Sequence, residues 1–269
     1  MFLQLLPVSP PPQGNSRLRT TNPTCFCQSL SSSFSTTALA ATGNRIRSSA
    51  AADINTHASP GKYHTLLTRN KEWASKTAHE QPNLFPALAE KQSPEILWIG
   101  CADSRCPETT ILGAHPGDVF VHRNIANIVH HTDLSSAAVI EYAVKYLKVK
   151  HVVLCGHTFC GGVTAALGNK KLGVIDPWLM PLRQLREENH EVLETLDPKE
   201  AGLKLVELNV LQGVRVLKEN PTIIEAMQDH GLEVHGLVYD IATGALQELE
   251  IKEPVTLAVS RVTAFKTVY

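Results

Sequence analysis

Two short apolar runs, each followed at once by a residue that binds metals, constrain this chain more than any other feature of its sequence. The run Ile96–Gly100 is followed directly by Cys101, and the run Val152–Gly156 is followed directly by His157. A continuous apolar run of this length is typical of a strand that is buried on both faces of a sheet. Because such runs alternate with helical patterns, the chain is expected to form an α/β fold with a mainly parallel sheet flanked by helices.

Further strands and helices are predicted around these two runs. Val119–Val121 and Val234–Tyr239 are predicted as strands, and Leu246–Ile251 is predicted to pair with the latter across the turn 242–244 as an antiparallel edge strand. Helical spacing of apolar residues predicts helices beginning near Tyr63 and over Ser135–Leu147, Gly162–Leu167, Pro177–Thr195, Pro198–Lys218 and Pro221–His230.

The charge distribution divides the chain near residue 52. No Asp or Glu precedes Asp53, and residues 1–52 carry four arginines and many Ser and Thr residues. An Arg-bearing, Ser-rich, acid-free N-terminus is the composition of an organellar transit peptide. We therefore predict a mitochondrial presequence over 1–52, with a plastid address or an untargeted tail on a cytoplasmic protein as alternatives. Residues 53–269 are predicted to form a single catalytic domain.

Composition excludes several classes of function. The formal net charge is −1, which argues against a nucleic-acid binder, since such proteins carry a basic excess. No stretch approaches the 18 consecutive apolar residues that a membrane span requires, so no such span is predicted. Six cysteines in 269 residues are too few for a disulfide scaffold and suit a metal or catalytic role.

The residues that follow the two runs predict a zinc site. Ligands of parallel sheets bind beyond the carboxyl ends of the strands, and Cys101, His157 and Cys160 follow two such ends. Three Cys and His ligands with an open fourth position are typical of catalytic zinc. Asp103 and Arg105 lie close by, and a guanidinium beside a carboxylate keeps that carboxylate ionised and oriented.

The spacing of the cysteines leaves alternatives open. Cys101, Cys106, Cys155 and Cys160 formally fit a closed structural site with four thiolates, or a set of buried cysteines without metal. The spacing also does not choose between Cys155 and Cys160 as the third ligand.

The two motifs together resemble those of the β-class carbonic anhydrases. The C-x-D-x-R pattern at 101–105 and the H-x-x-C-G-G pattern at 157–162 are joined by matching stretches at Arg123–Asn127 and Glu141–Val144. The resemblance, which is to fungal and bacterial members, runs from about Leu66 to Val259. It implies a sheet of order 2-1-3-4, a homodimer or tetramer, and an enzyme that interconverts CO2 and bicarbonate.

The resemblance also implies roles for the residues of the site. Cys101, His157 and Cys160 hold one Zn2+ per subunit, and Asp103 and Arg105 form the catalytic dyad. A hydroxide on the zinc attacks CO2 while Asp103 accepts its hydrogen. A hydrolase acting on CS2 or COS on the same scaffold, or a non-catalytic zinc protein, remains as an alternative.

The resemblance extends to the substrate pocket and to a regulatory site. Gln92, Phe120, Ile125, Tyr142 and Gly161 match substrate-binding positions, some of them contributed across the dimer interface, although ordinary core packing also explains the three apolar residues. Trp98 and Arg123 match a site at which some members bind inhibitory bicarbonate. Arg215 stands where those members have a tyrosine, which leaves a purely structural role open for both residues.

Overall fold

The protein is described by a computed structural model that covers residues 61–266, so the predicted presequence over 1–52 lies outside the described residues. Five strands form one sheet: β1 Ile96–Cys101, β2 Val119–Asn124, β3 His151–His157, β4 Glu233–Tyr239 and β5 Leu246–Glu248. The spatial order is β2-β1-β3-β4-β5. The first four strands are parallel and β5 pairs antiparallel with β4, which confirms the predicted fold class and edge strand.

Eleven α-helices precede, connect or follow these strands within residues 61–266. They are α1 Lys62–Glu80, α2 Leu84–Glu90, α3 Glu108–Leu112, α4 Leu134–Glu141, α5 Gly161–Leu167, α6 Ile175–Trp178, α7 Met180–Glu188, α8 His190–Leu193, α9 Pro198–Glu219, α10 Pro221–His230 and α11 Val255–Phe265. A 3-10 turn covers Ile125–Asn127, and a π turn over Tyr142–Tyr146 extends α4. Searching these residues for a helix of sufficient length and apolarity to span a bilayer gives no candidate.

The single helix predicted over Pro177–Thr195 is wrong. Three short helices, α6 to α8, cover this region instead. Leu179 separates α6 from α7, Asn189 separates α7 from α8, and both take non-helical backbone angles. The side-chain amide of Asn189 donates to the Leu185 carbonyl at 2.8 Å. Asparagine side chains compete with the backbone for such bonds, so the helical spacing of the apolar residues alone did not reveal the breaks.

Two helices near the termini and one between strands were not predicted. The sequence around α2 reads as interrupted by Pro86, yet Pro86 lies in the first turn of this helix. The first turn tolerates proline because its N–H groups have no intrahelical partner. Helix α3 has only five residues and α11 follows the edge strand, so neither has a long periodic pattern.

Helix α9 packs closely against the sheet because glycines line the contact. A Cβ on Gly213 of α9 would overlap the side chain of Leu154, and a Cβ on Gly236 would lie 2.9 Å from Val210. The same face of the sheet carries a fully buried cluster that includes Leu97 and Leu154. Without side chains at these glycines the helix approaches the strands closely enough to bury that cluster.

A matched pair of substitutions in α9 tests this packing. Gly213→Ala should lower the free energy of unfolding by about 1–3 kcal/mol, since the new methyl group overpacks the core at Leu154. Gly202→Ala meets no atom within 4 Å and should raise it by up to about 1 kcal/mol through helix propensity. Urea unfolding of both variants measures the difference, and equal stability of the two would contradict the close approach.

Candidate metal centre

The pairing of β1 with β3 brings the two motifs together. Gly100 lies opposite Cys155 in the parallel register, so the carboxyl ends of the two strands are neighbours. Cys101 is the last residue of β1, His157 is the last residue of β3, and Cys160 is the N-cap of α5. Their ligand atoms all lie within 4.8 Å of one another, and all three residues are buried. The structure thus places the three predicted metal ligands in one cluster.

A strained turn carries the chain from His157 to Cys160. Phe159 has a φ of 58°, a left-handed conformation that is uncommon for a bulky residue. The Thr158 hydroxyl donates to Asp240 at 3.0 Å and accepts from the backbone N–H of Ile241, also at 3.0 Å. These bonds tie the turn to the end of β4 and so hold the two ligand residues at a fixed separation.

The orientation of the His157 ring leaves one nitrogen available. Its Nδ1 lies 2.9 Å from the Thr158 carbonyl oxygen, which can only accept, so Nδ1 carries the hydrogen. Nε2 is buried without a hydrogen-bond partner among the described residues. Buried polar nitrogens rarely lack a partner, and metal-binding histidines commonly donate their other ring N–H to a carbonyl. The unpaired Nε2 between two cysteines therefore fits a bound metal ion.

The sulfur atoms of the cluster suit zinc, since the thiolate is the form of cysteine that binds metals. A hydrogen bond from the Cys160 thiol lowers the pKa of Cys101, although burial opposes this shift. The backbone N–H of Ala126 also donates to the Cys101 sulfur at 3.3 Å. Two thiolates and one imidazole form a donor set that selects zinc over hard cations.

The structure groups Cys160, and not Cys155, with Cys101 and His157. Cys155 is 4% exposed and packs with Trp98 and Val153 in a separate apolar cluster. Burial raises the pKa of Cys155 to about 12, so it stays a neutral thiol. Within the described residues, the metal-capable group contains Cys160 but neither Cys155 nor Cys106. The alternative of a closed site with four thiolates is therefore wrong.

A carboxylate held by a guanidinium lies beside the cluster. Nε and Nη2 of Arg105 donate to the two carboxylate oxygens of Asp103 at 2.9 and 2.7 Å, and the backbone N–H of Arg105 donates at 2.9 Å. The Arg105 hydrogen bonds hold the pKa of Asp103 well below its usual range, so this group is an ionised acceptor. Its Oδ2 lies 3.9 Å from Nε2 of His157. The predicted dyad is thus formed and faces the metal-ligand cluster.

Arg123 holds the loop that carries the dyad, a role that the sequence reasoning missed. Its Nε donates to the Cys101 carbonyl at 2.8 Å and its Nη2 donates to the Asp103 carbonyl at 2.6 Å. Nη1 lies 3.8 Å from a carboxylate oxygen of Glu108. The sequence pointed to this residue only through the family resemblance, in the R-N-I-A-N stretch and in the match to a bicarbonate site, because its carbonyl partners leave no sequence pattern.

The predicted substrate residues lie in three places. Ile125 is 42% exposed, and its side chain lies beside Gly162 in the first turn of α5, directly after Cys160. A Cβ on Gly161 would meet no atom within 4 Å. The rings of Phe120 and Tyr142 lie 5.7 Å apart on β2 and the π turn. Gln92 is exposed in the loop before β1. Their substrate roles stay predictions, and Phe120 also packs against the core.

Trp98 is 3% exposed and packs in the apolar cluster on the sheet face opposite α9. The Trp98 ring occupies the space that a Cβ on Gly100 would need. Both Trp98 and Arg123 therefore have structural contacts of their own, and their regulatory role stays a prediction.

Comparisons with known proteins agree with these motifs and with the fold. A sequence profile described as carbonic anhydrase matches residues 96–246. A carbonic anhydrase of Candida albicans is 45% identical over 192 residues, which cover 70% of this chain and 68% of that protein.

Solved structures extend the likeness to the three-dimensional fold. The β-carbonic anhydrase CafA of Aspergillus fumigatus aligns with a TM-score of 0.76 and 59% identity, covering 77% of this chain and all of that one. A structure from a study of two tetrameric β-carbonic anhydrases of Sordaria macrospora aligns with a TM-score of 0.69 and 56% identity, covering 70% of this chain and 96% of that one. The chain belongs to the β-class carbonic anhydrase family of enzymes.

Proposed function

We propose that this enzyme catalyses the reversible hydration of CO2 to bicarbonate and a proton, with one Zn2+ per chain held by Cys101, His157 and Cys160. The observation that carries this is the buried, unpaired Nε2 of His157, which lies within 4.8 Å of two cysteine sulfurs. The Asp103 carboxylate lies 3.9 Å from the same nitrogen. Family membership supports the reaction, and the donor set supports the metal.

Zinc bound by these three residues would supply Lewis acidity, which lowers the pKa of a water molecule and so makes it a nucleophile. Asp103 is the group that orients this nucleophile. Its Oδ1 already accepts two N–H bonds from Arg105, while Oδ2 accepts one and faces His157. The remaining lone pair of Oδ2 is free to accept a hydrogen bond from the water that attacks carbon.

Arg105 fixes the position of that carboxylate. Besides its bonds to Asp103, it donates to the Phe159 carbonyl at 3.2 Å, so the guanidinium links the two ligand-bearing loops. A carboxylate released from this clamp would be able to swing toward the sulfur–imidazole cluster and occupy the open ligand position. The clamp would therefore keep Asp103 off the metal and hold Oδ2 in the orientation that accepts a hydrogen bond from water.

CO2 is apolar and needs an apolar wall rather than a charged pocket. Ile125 lies next to the ligand-bearing turn and offers such a wall on the same chain. Gln92, Phe120 and Tyr142 are proposed, on the family resemblance, to line the pocket from across a dimer interface. Substitution of Tyr142 by alanine should then raise KM for CO2, and unchanged kinetics would contradict its role.

An oligomer is supported by helix α1. This helix has no buried residue, and Tyr63, Leu66 and Trp73 expose 68%, 51% and 46% of their surfaces. An apolar stripe of this kind marks an interface between proteins. The Sordaria relatives are tetrameric. We expect light scattering to give the mass of two or four chains, and a single-chain mass would contradict this assembly.

The reaction is separable from its closest chemical alternative by measurement. The zinc-loaded enzyme should hydrate CO2, followed by stopped-flow with a pH indicator, and should release no sulfide from CS2 or COS. Sulfide release with no acceleration of CO2 hydration would favour the hydrolase. If neither reaction were accelerated by a zinc-loaded oligomer, the chain would be a non-catalytic zinc protein.

The N-terminal segment and the regulatory residues complete the proposal. Residues 1–52 are proposed as a mitochondrial presequence on their composition, and a reporter fused to them that stays diffuse in the cytosol would contradict this.

Inhibition by bicarbonate through Trp98 and Arg123 has less structural support than the reaction, because Arg123 is already bound to two carbonyl groups. A strictly hyperbolic response to bicarbonate would remove it.

A further inference from the structure

A second cluster of side chains that can bind a metal lies at the amino ends of β3 and β4. The cluster of Cys101, His157 and Cys160 lies at the opposite, carboxyl ends of the strands. His151 is the first residue of β3, and it pairs in register with Glu233, the first residue of β4. His235 lies two residues further along β4, so its side chain lies on the same face as that of Glu233. These three side chains and the Cys101 cluster are the two metal-capable groups within residues 61–266.

The three donor atoms form a closed triangle. Nδ1 of His151 lies 3.1 Å from Nε2 of His235, and Oε2 of Glu233 lies 3.5 Å from each of these nitrogens. Tetrahedral zinc with bonds of 2.0–2.1 Å separates its ligand atoms by about 3.3 Å. The observed distances between donor atoms, 3.1 and 3.5 Å, lie on either side of this separation. A zinc ion therefore fits above the three atoms with only small movements of the side chains.

A fourth residue, Glu248, orients the ring of His235. Oε1 of Glu248, on β5, lies 2.8 Å from Nδ1 of His235. If the carboxylate is ionised it only accepts, so Nδ1 carries the hydrogen and Nε2 presents its lone pair to the triangle. A carboxylate that accepts from the outer N–H of a metal-binding histidine is a recurrent feature of zinc sites.

We propose that His151, Glu233 and His235 form an accessory binding site for a divalent transition metal, with zinc as the ion that suits two imidazoles and one carboxylate. Glu233 and His151 expose 63% and 40% of their side chains, so the site opens to solvent and a fourth position is left to water. The bound ion would join β3 to β4 and, through Glu248, to β5. It would therefore stabilise the folded chain in proportion to free zinc.

Titration calorimetry with Zn2+ tests the site in the full-length enzyme that already holds one zinc per chain. The wild type should bind one further zinc, and His235→Ala and His151→Ala should lose that binding while retaining the first ion. Glu248→Ala should weaken it by about 10–100-fold, the effect usual for a residue that orients a metal ligand. His190→Gln, at an exposed histidine outside the cluster, should bind as the wild type does.

Cobalt distinguishes the two centres by spectroscopy. Co2+ added to the zinc-loaded enzyme should occupy a site with no thiolate-to-metal charge-transfer band, because this site has no cysteine. Should His235→Ala fail to fold, Glu233→Gln at an exposed position serves in its place and should also lose the second ion. A wild type that takes up no second ion would overturn the site, and so would a second ion that survives in these variants.

Discussion

Cys160→Ser is expected to remove the zinc and, with it, the hydration of CO2. The Cys160 sulfur lies within 4.8 Å of both other ligand atoms, and the backbone N–H groups of Val163 and Gly162 also face it. A serine hydroxyl is a far weaker zinc ligand than a thiolate. Zinc affinity should fall by more than about 100-fold, which is the upper end of the loss seen for residues that only orient a ligand. The rate should fall to that of buffer.

Cys155→Ser is the matched control for this prediction. Cys155 is also buried, but it bonds the Gly156 carbonyl at 3.2 Å and lies outside the ligand cluster. A serine keeps this hydrogen bond, so zinc content and activity should stay close to those of the wild type. Elemental analysis and stopped-flow assays on both variants decide the matter. Loss of zinc from Cys155→Ser with retention in Cys160→Ser would reverse the ligand assignment.

Arg105→Ala is expected to keep the zinc and lose most of the activity. Arg105 contacts none of the three ligand side chains by a hydrogen bond, but it fixes both oxygens of Asp103. Displacement of a catalytic group by about 1 Å can lower the reaction rate by about 100-fold. We therefore expect kcat to fall by at least about 100-fold. The free Asp103 should also approach the metal centre, which a cobalt-substituted enzyme would report as a changed absorption spectrum.

Arg183→Ala controls for the loss of an ion pair in general. Arg183 of α7 donates to Asp176 of α6 at 2.8 Å, so it also forms an Arg–Asp ion pair, but this pair lies outside the candidate site. That variant should keep both zinc and activity. Asp103→Asn should be as slow as Arg105→Ala, because an amide offers a donor where the reaction needs an acceptor. Full activity in Arg105→Ala would show that the dyad does not position the nucleophile.

The sequence predicted the sheet and the meeting of Cys101 with His157, because both depend on local patterns. The apolar runs before Cys101 and His157 indicate buried strands. Parallel pairing of these strands then places the two residues together, and this does not depend on how the connecting helices pack. The sequence did not choose between Cys155 and Cys160, since each lies within three residues of His157. The choice depends on the turn at Phe159, whose left-handed backbone no residue pattern announces.

The features that the sequence missed leave no trace in its composition or apolar spacing. The breaks at Leu179 and Asn189 interrupt a run whose apolar spacing continues through them. Arg123 bonds backbone carbonyl groups, which every residue offers, so its partners leave no trace in composition or spacing. The cluster of His151, Glu233 and His235 depends likewise on the register between β3 and β4, because 82 residues separate the first two along the chain.

The dependence of the reaction on zinc is measured by stopped-flow hydration of CO2 with the purified chain, before and after removal of its metal. We expect hydration far above the buffer rate, its loss when a chelator removes zinc, and its return when one zinc per chain is restored. Activity should rise toward alkaline pH, because the two thiolates make the water at the metal less acidic. Hydration that persists in the metal-free chain, or none in a zinc-loaded oligomer at alkaline pH, would show that this enzyme is not a zinc-dependent carbonic anhydrase.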